Sequence, residues 1–128
     1  MNKSYVEVWG TGSASREFLY IDDAARGIIL ATEYYNKPDP VNLGSGSEIT
    51  IRDLVNLIQE LTGYDGKVHW DTTKPDGQPK RRLNVSRAKE EFGFEAQMSF
   101  RKGLAKTIQW YQENAGILNE PVDSEQHC

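Results

Sequence analysis

The sequence predicts an α/β fold with a small mixed sheet and about four helices. Residues 5–9 alternate in polarity and are rich in β-formers, which is typical of a strand. A Thr50-x-x-Asp53 capping pattern opens a run of apolar residues at helical spacing, and Gly63 follows where a helix-ending glycine belongs. A last helix is predicted over about 100–114. Its apolar face consists of Leu104, Ile108, Tyr111 and Ala115.

Length and composition predict one globular domain. The 128 residues carry 15 basic and 19 acidic side chains, a formal net charge of −4. This balance disfavours a nucleic-acid partner, because phosphate contacts need a basic surface. Cys128 is the only cysteine, no apolar run is long enough to span a membrane, and no apolar leader follows Met1. We therefore expect a cytoplasmic protein without disulfides and without nucleic-acid or membrane partners.

Shorter signals complete the predicted order of elements. Asp22 or Asp23 is expected to cap a helix that runs to about Tyr35. The other predicted elements are an extended piece over 16–21, strands over 41–43 and 67–70, and a helix over 87–92 capped by Ser86 and ended by Gly93. Gly116 is expected to end the last helix, which leaves residues 117–128 as a disordered tail.

The predicted helix over residues 24–35 carries too many apolar side chains for one buried stripe. A helix that is apolar around most of its circumference needs cover on two sides. A single small domain does not supply both, and exposed apolar faces usually mark association surfaces. We therefore expect this helix to contact a second copy of the chain or a separate domain.

Residues 74–82, which we call the basic loop, carry a local excess of positive charge in an acidic chain. Pro75, Gly77 and Pro79 exclude a regular helix or a central strand and stiffen the segment. The charged residues of the loop are Lys74, Asp76, Lys80, Arg81 and Arg82. A stiff cationic loop fits a phosphate or diphosphate, and a solvated surface turn is the equally open alternative.

Trp9 and Arg16 flank a glycine-rich turn, residues 10–15. An indole can lie against a base or a sugar, and a guanidinium can bind phosphate oxygens in a bidentate fork. The alternatives are core packing for Trp9 and, for Arg16, a surface ion pair with Glu17 or another nearby acid. The turn does not match a dinucleotide fingerprint, because an extended segment rather than a helix is predicted to follow it.

Five segments, in this order, carry a resemblance to a known family. They are Val8-Trp9-Gly10-Thr11-Gly12, Arg16-Glu17-Phe18-Leu19-Tyr20-Ile21-Asp22-Asp23, Asn42-Leu43-Gly44-Ser45-Gly46, Thr50-Ile51-Arg52-Asp53-Leu54 and Lys74-Pro75-Asp76-Gly77-Gln78-Pro79. The chain resembles the C-terminal portion of the extended short-chain dehydrogenase/reductases, also called the NAD-dependent epimerase/dehydratase family. Within that family it resembles the GDP-L-fucose synthase group. The likeness covers about residues 5–115.

The resemblance implies that residues 1–116 form a lobe that binds a nucleotide diphosphate sugar, with GDP as the nucleotide. The implied substrate-binding residues are Trp9, Arg16, Asp76, Lys80 and Arg81. Trp9 and Arg16 match positions that contact the nucleotide sugar, and Asp76 matches one near the ribose. Arg81 matches a position that reaches the diphosphate and is usually Lys, so the charge is kept while the geometry changes.

The resemblance also implies an N-terminal NADP-binding domain with a glycine-rich phosphate loop and a Tyr-x-x-x-Lys pair. None of the six tyrosines here has Lys four residues later, and His69 and His127 stand too far apart to suggest a metal site. Because the hydride donor belongs to that domain, we expect this chain alone to hold no cofactor and to have no reductase or epimerase activity. The alternative is a non-catalytic oligomerisation or interaction module, which would bind the missing Rossmann domain or a second copy through helix 24–35.

Overall fold

The computed structural model describes residues 4–118 as an α/β lobe with four helices and four short strands. The elements are β1 (Tyr5–Trp9), β2 (Ser15–Arg16), α1 (Ile21–Tyr34), β3 (Ile49–Thr50), α2 (Ile51–Thr62), β4 (Lys67–Asp71), α3 (Ser86–Phe92) and α4 (Phe100–Leu118). β1 runs parallel to β4, and β2 runs antiparallel to β3. The predicted fold class is confirmed, and the strands of mixed direction form two separate pairs. Within residues 4–118, no helix is long and apolar enough to cross a membrane.

The parallel pair brings the glycine-rich turn and the basic loop to one edge. Tyr5 lies opposite Lys67, and Trp9 lies opposite Asp71. Because the carboxyl ends of parallel strands meet at the same edge, the segments after Trp9 and after Asp71 leave the sheet together. The Gly10 N–H continues the ladder with a 2.9 Å hydrogen bond to the Asp71 carbonyl.

The antiparallel pair connects the turn to both α2 and the end of the basic loop. Ser15 pairs with Thr50 of β3 and also forms a parallel bridge with Lys80. The Ser15 N–H donates to the Pro79 carbonyl at 2.9 Å. The short β2 strand is therefore held between the start of α2 and the basic loop.

Local sequence signals determine α2. The Thr50 side chain accepts a 3.1 Å hydrogen bond from the Asp53 N–H, which is the predicted N-cap interaction. Gly63 has φ of 68° and ends the helix in the left-handed conformation that glycine adopts without a steric penalty. The predictions for both ends of this helix are confirmed.

The predicted cap of α1 is wrong. Tyr20 occupies the N-cap position without a side-chain hydrogen bond, and Asp22 and Asp23 lie in the first turn. Asp23 is 5 % exposed, and its carboxylate accepts hydrogen bonds from the backbone N–H groups of Gln97 and Met98. Because that carboxylate is committed to a segment more than 70 residues away, it does not cap its own helix.

Two further predictions need correction around residues 16–43. Residues 41–43 form no strand, since no second strand pairs with them, and Leu43 instead packs beside Gly27 and Phe94. The predicted extended piece over 16–21 ends one residue too late, because Tyr20 is extended but α1 already begins at Ile21, and only Arg16 of this piece belongs to a strand.

Corrections also apply to the two last helices. The predicted Ser86 cap of α3 is wrong, because α3 begins at Ser86 itself and Val85 occupies the N-cap position without a side-chain hydrogen bond. The Ser86 N–H instead donates to the Asn84 side chain at 3.0 Å. Gly93, with φ of 68°, ends α3 as predicted. α4 continues through Gly116 to residue 118, since one helical glycine costs only about 1 kcal/mol. Of the predicted tail, residues 117–118 are therefore helical, and 119–128 lie outside the described residues.

The lobe has a small core and a large exposed apolar surface. Phe94 is fully buried where α1 approaches closely at Gly27, and the Arg26 guanidinium lies 5.1 Å from the Phe94 ring centroid. On the other side of α1, Ile28 and Ile29 remain 60 % and 58 % exposed. The excess apolar character predicted for this helix is therefore present as an uncovered face.

Candidate functional site

Trp9 is at the surface, at the carboxyl end of β1. Its side chain is 65 % exposed, which excludes the core-packing alternative in the described lobe. The Lys74 ammonium of the basic loop lies 5.3 Å from the centroid of the indole ring. This distance is typical of a cation–π contact. The exposed indole and the first cation of the basic loop are therefore neighbours.

Asp76 fixes the basic loop to the glycine-rich turn. The Thr11 N–H and the Thr11 hydroxyl each donate a 2.7 Å hydrogen bond to its carboxylate. The hydroxyl and then the N–H of Thr11 hold the pKa of the Asp76 carboxyl below its ordinary value. A Cβ at Gly10, which has φ of 88°, would collide with the same carboxylate. All observed contacts of Asp76 are internal, and its role at a ribose stays a prediction.

Arg16 lies against the basic loop. Its Nη1 donates to the carbonyls of Ser15 and Gln78, both at 2.7 Å, and the side chain is half-buried. Within residues 4–118, the Nε and Nη2 groups of Arg16 have no hydrogen-bond acceptor. The ion pair with Glu17, which was the alternative for Arg16, is not formed. The structure thus brings Arg16 and the basic loop together and leaves part of the guanidinium fork available.

The remaining cations of the loop differ in how they are engaged. Lys80 Nζ lies 3.1 Å from Glu48, which also accepts a 2.8 Å hydrogen bond from the Ser15 hydroxyl. The Ser15 hydroxyl and then Lys80 lower the pKa of Glu48. Arg82 donates to the Gly46 carbonyl at 2.9 Å. Arg81 is exposed, and its side chain makes no hydrogen bond or ion pair within residues 4–118.

Two residues outside the predicted set support this region. The Arg52 guanidinium lies 4.4 Å from the Trp70 ring centroid, and its Nη2 donates to the Thr11 carbonyl. The Glu17 carboxylate accepts from the N–H groups of Gly46 and Leu83 at 2.7 and 3.1 Å. The sequence marked Glu17 only as a neighbour of Arg16, because nothing in it identifies backbone groups as the partners of a carboxylate.

The glycine-rich turn faces the protein rather than a phosphate. A Cβ at Gly12 would lie 2.7 Å from the Trp70 ring, and the turn leads into β2 instead of a helix N-terminus. A pyrophosphate site of the dinucleotide type needs that N-terminus. The geometry of this turn therefore does not fit the pyrophosphate of a dinucleotide such as NADP.

An apolar cavity of about 410 Å³ lies beside this region, between the segment 18–20, α2 and α4. Its apolar lining includes Phe18, Leu19, Leu54, Ile58, Phe100 and Leu104. A smaller cavity of about 170 Å³ is lined by Arg16 and Glu48 and shares Phe18 with the larger one. Within residues 4–118, no three acidic, histidine or cysteine side chains lie close enough together to hold a metal ion.

Comparison with known proteins gives related enzymes over most of the chain. The model of the NAD-dependent epimerase/dehydratase family matches residues 1–44. The probable GDP-L-fucose synthase 1 of Oryza sativa subsp. japonica is 43 % identical over 113 residues, which are 88 % of this chain and 34 % of the rice protein.

Solved structures of similar enzymes also superpose on this chain. The GDP-L-fucose synthetase of Naegleria fowleri bound to NADP superposes with a TM-score of 0.81 at 28 % identity, over 88 % of this chain and 36 % of that one. The UDP-glucose 4-epimerase of Thermotoga maritima with UDP-glucose gives 0.78 at 30 % identity, over 87 % and 36 %. The chain spans about a third of the length of the curated relatives it matches. Residues 1–44 thus match the NAD-dependent epimerase/dehydratase family, and over 88 % of its length the chain is similar to GDP-L-fucose synthases.

Proposed function

We propose that this chain is the nucleotide-sugar-binding lobe of an epimerase/reductase like GDP-L-fucose synthase. The observation that carries the proposal is the position of Trp9, Arg16 and the basic loop. An exposed indole and a partly available guanidinium adjoin one cationic segment. Arg81, further along that segment, has no partner within residues 4–118.

The arrangement suits a nucleoside diphosphate because most of it is fixed before a ligand arrives. Asp76 holds Thr11, and Arg16 holds the Gln78 carbonyl, so the turn and the loop cannot move apart freely. Preorganised groups lose little conformational entropy on binding. An indole offers a stacking face, and Arg side chains match phosphate oxygens in bidentate geometry.

The relatives suggest the class of ligand. A rice relative is named as a probable GDP-L-fucose synthase, and a Thermotoga relative was solved with UDP-glucose. We infer that the ligand is a nucleotide diphosphate sugar and that the nucleotide is GDP. Asp76 contributes to the site by positioning the turn. Lys80 contributes an exposed ammonium group that also contacts Glu48.

The reaction of the whole enzyme requires a cofactor domain. A relative from Naegleria was solved with NADP, and the 128 residues contain no Tyr-x-x-x-Lys pair. We propose that this lobe presents the sugar to an NADP-binding Rossmann domain and that the lobe alone catalyses neither reduction nor epimerisation. We place the enzyme in the cytoplasm, which suits a chain whose one cysteine can form no internal disulfide.

A titration of GDP against the full 128-residue chain tests the proposal. We expect millimolar GDP to change the amide chemical shifts of Trp9, Arg16 and the basic loop. Arg81→Ala should weaken binding roughly tenfold, since it removes an unpaired cation from the site. Lys106→Ala, which removes an exposed positive charge from α4, is the matched control and should change affinity less than twofold. The absence of any shift at millimolar GDP would contradict the proposal.

The exposed face of α1 supports a second candidate function, association with another chain or domain. Ile28 and Ile29 lie side by side on this face and are more than half exposed. Light scattering over a wide concentration range should show an oligomer, and Ile28→Lys should dissociate it. Trp110→Lys, which changes an equally exposed apolar residue on α4, is the control. A monomer at every concentration would count against self-association and leave the cofactor domain as the partner of α1.

A further inference from the structure

One carboxylate joins three segments that approach the proposed site. Glu17 Oε2 accepts from the Gly46 N–H at 2.7 Å, and Glu17 Oε1 accepts from the Leu83 N–H at 3.1 Å. The partners lie 29 and 66 residues away along the chain. Arg82 closes the arrangement by donating to the Gly46 carbonyl at 2.9 Å. The end of the basic loop is therefore fixed to the turn 44–46 through both a carboxylate and a guanidinium.

The surroundings of Glu17 show that this arrangement is closely packed. A Cβ at Gly44 would lie 2.9 Å from Glu17 Oε1 and 3.0 Å from Val85. Any side chain at position 44 would therefore push against the carboxylate or against the segment that follows the basic loop. Charge-assisted hydrogen bonds from backbone N–H groups are stronger than neutral ones. Both oxygens of Glu17 are engaged by the protein.

We propose that Glu17 is a positioning residue of the nucleotide diphosphate site. It fixes the Leu83 amide, and with it the direction of the chain at Arg81 and Arg82, without touching the ligand. The inference rests on the function proposed above. It adds that Glu17, although negatively charged like the ligand, increases the affinity for it.

Because Glu17 is negatively charged, an electrostatic effect and a positioning effect predict opposite changes in the affinity for GDP. If Glu17 acted only through its field, its neutralisation would strengthen the binding of an anion, because like charges repel. Loss of positioning has the opposite effect, since the cations of the loop are then held less firmly. We expect Glu17→Gln to weaken GDP binding by about tenfold in an isothermal titration of the full chain.

Glu90→Gln is the matched control, because Glu90 is exposed on α3 and makes no hydrogen bond or ion pair within residues 4–118. It should leave the affinity unchanged or slightly higher. Gly44→Ala is an independent variant that disturbs the same carboxylate by contact, and it should reproduce the loss seen in Glu17→Gln. Equal or tighter GDP binding by Glu17→Gln, with the wild type binding normally, would overturn the inference and leave the proposed function intact.

A second measurement needs no ligand. In Glu17→Gln, hydrogen exchange at the Leu83 amide should accelerate about tenfold or more, while the amides of α2 keep their wild-type rates. General destabilisation would accelerate both regions together. An unchanged Leu83 rate would overturn the positioning role whether or not the chain binds GDP, so this result separates failure of the inference from failure of the proposed function.

Discussion

Asp23 and Asp76 each join two distant segments of the chain by hydrogen bonds, in two different parts of the lobe. Each carboxylate accepts hydrogen bonds from a segment more than 60 residues away. Asp23 is buried and binds the N–H groups of Gln97 and Met98 together with the Arg26 guanidinium. Asp76 lies at the surface and binds Thr11 beside side chains that have no complete set of partners.

The comparison distinguishes hydrogen bonds that stabilise the fold from hydrogen bonds that position a candidate site. At Asp23, the two backbone N–H donors and the Arg26 Nη2 group all bond to one buried carboxylate. Around Asp76, the same kind of interaction fixes the backbone while Trp9 is exposed and Arg81 is unpaired within residues 4–118. Removing the first carboxylate should therefore damage stability, and removing the second should damage binding.

The largest effect is expected at Asp23. Asp23→Ala removes a buried carboxylate, so that the two N–H groups lose their acceptor and Arg26 keeps only one hydrogen bond, to the Glu95 carbonyl. We expect a loss of about 3 kcal/mol in the free energy of unfolding, measured by urea denaturation. Asp22→Ala, in the same helical turn but exposed, is the control and should cost less than about 1 kcal/mol. Equal losses in the two variants would show that the hydrogen bonds of Asp23 do not stabilise the fold.

The same carboxylate should make stability depend on pH. Burial alone would raise the pKa of Asp23, but hydrogen bonds from Met98, Gln97 and Arg26 bring it below its ordinary value of 3.8. Because the folded pKa is depressed, the contribution is fully present above the unfolded pKa and is lost as the pH falls through the folded one. Unfolding free energies measured between pH 6 and roughly pH 2 should fall less steeply for Asp23→Asn than for the wild type. Identical slopes would contradict the assignment.

At Asp76 we expect a smaller loss of stability than at Asp23 but a larger loss of GDP binding. Asp76→Ala removes the acceptor of both Thr11 groups at an exposed position, where water can replace it. We expect the melting temperature to fall less than in Asp23→Ala, while hydrogen exchange at the Thr11 amide accelerates and GDP binding weakens. Exchange at the Gln97 amide should stay unchanged. If the melting temperature of Asp76→Ala fell as far as that of Asp23→Ala, the distinction between the two carboxylates would be wrong.

Local interactions explain which parts of the fold the sequence could predict. The cap at Thr50 and the left-handed Gly63 depend on neighbours within a few residues, so both ends of α2 followed from the pattern. The cap of α1 did not, because Asp23 bonds to a segment 74 residues away. The predicted strand over 41–43 failed for a similar reason, since a short apolar run forms a strand only when another strand pairs with it.

The candidate site divides in the same way. Charge and residue type identify Trp9, Arg16 and the basic loop as one candidate site, and the family resemblance adds a role for each residue. Arg16 contacts the loop through a main-chain group, the Gln78 carbonyl. Main-chain partners have no signature in a sequence, so the sequence offers for Glu17 only an ion pair with Arg16.

The smallest effect on stability is expected at Trp9, which makes it the sharpest probe of binding. The indole is 65 % exposed, so Trp9→Ala should change the free energy of unfolding by no more than about 0.5 kcal/mol. Binding should weaken by about tenfold, because the stacking face for the base or sugar is lost. Trp110 is exposed to a similar extent on α4 and provides the control. GDP should quench the tryptophan fluorescence of the wild type and of Trp110→Ala but not that of Trp9→Ala, and equal quenching in all three proteins would place the ligand away from this indole.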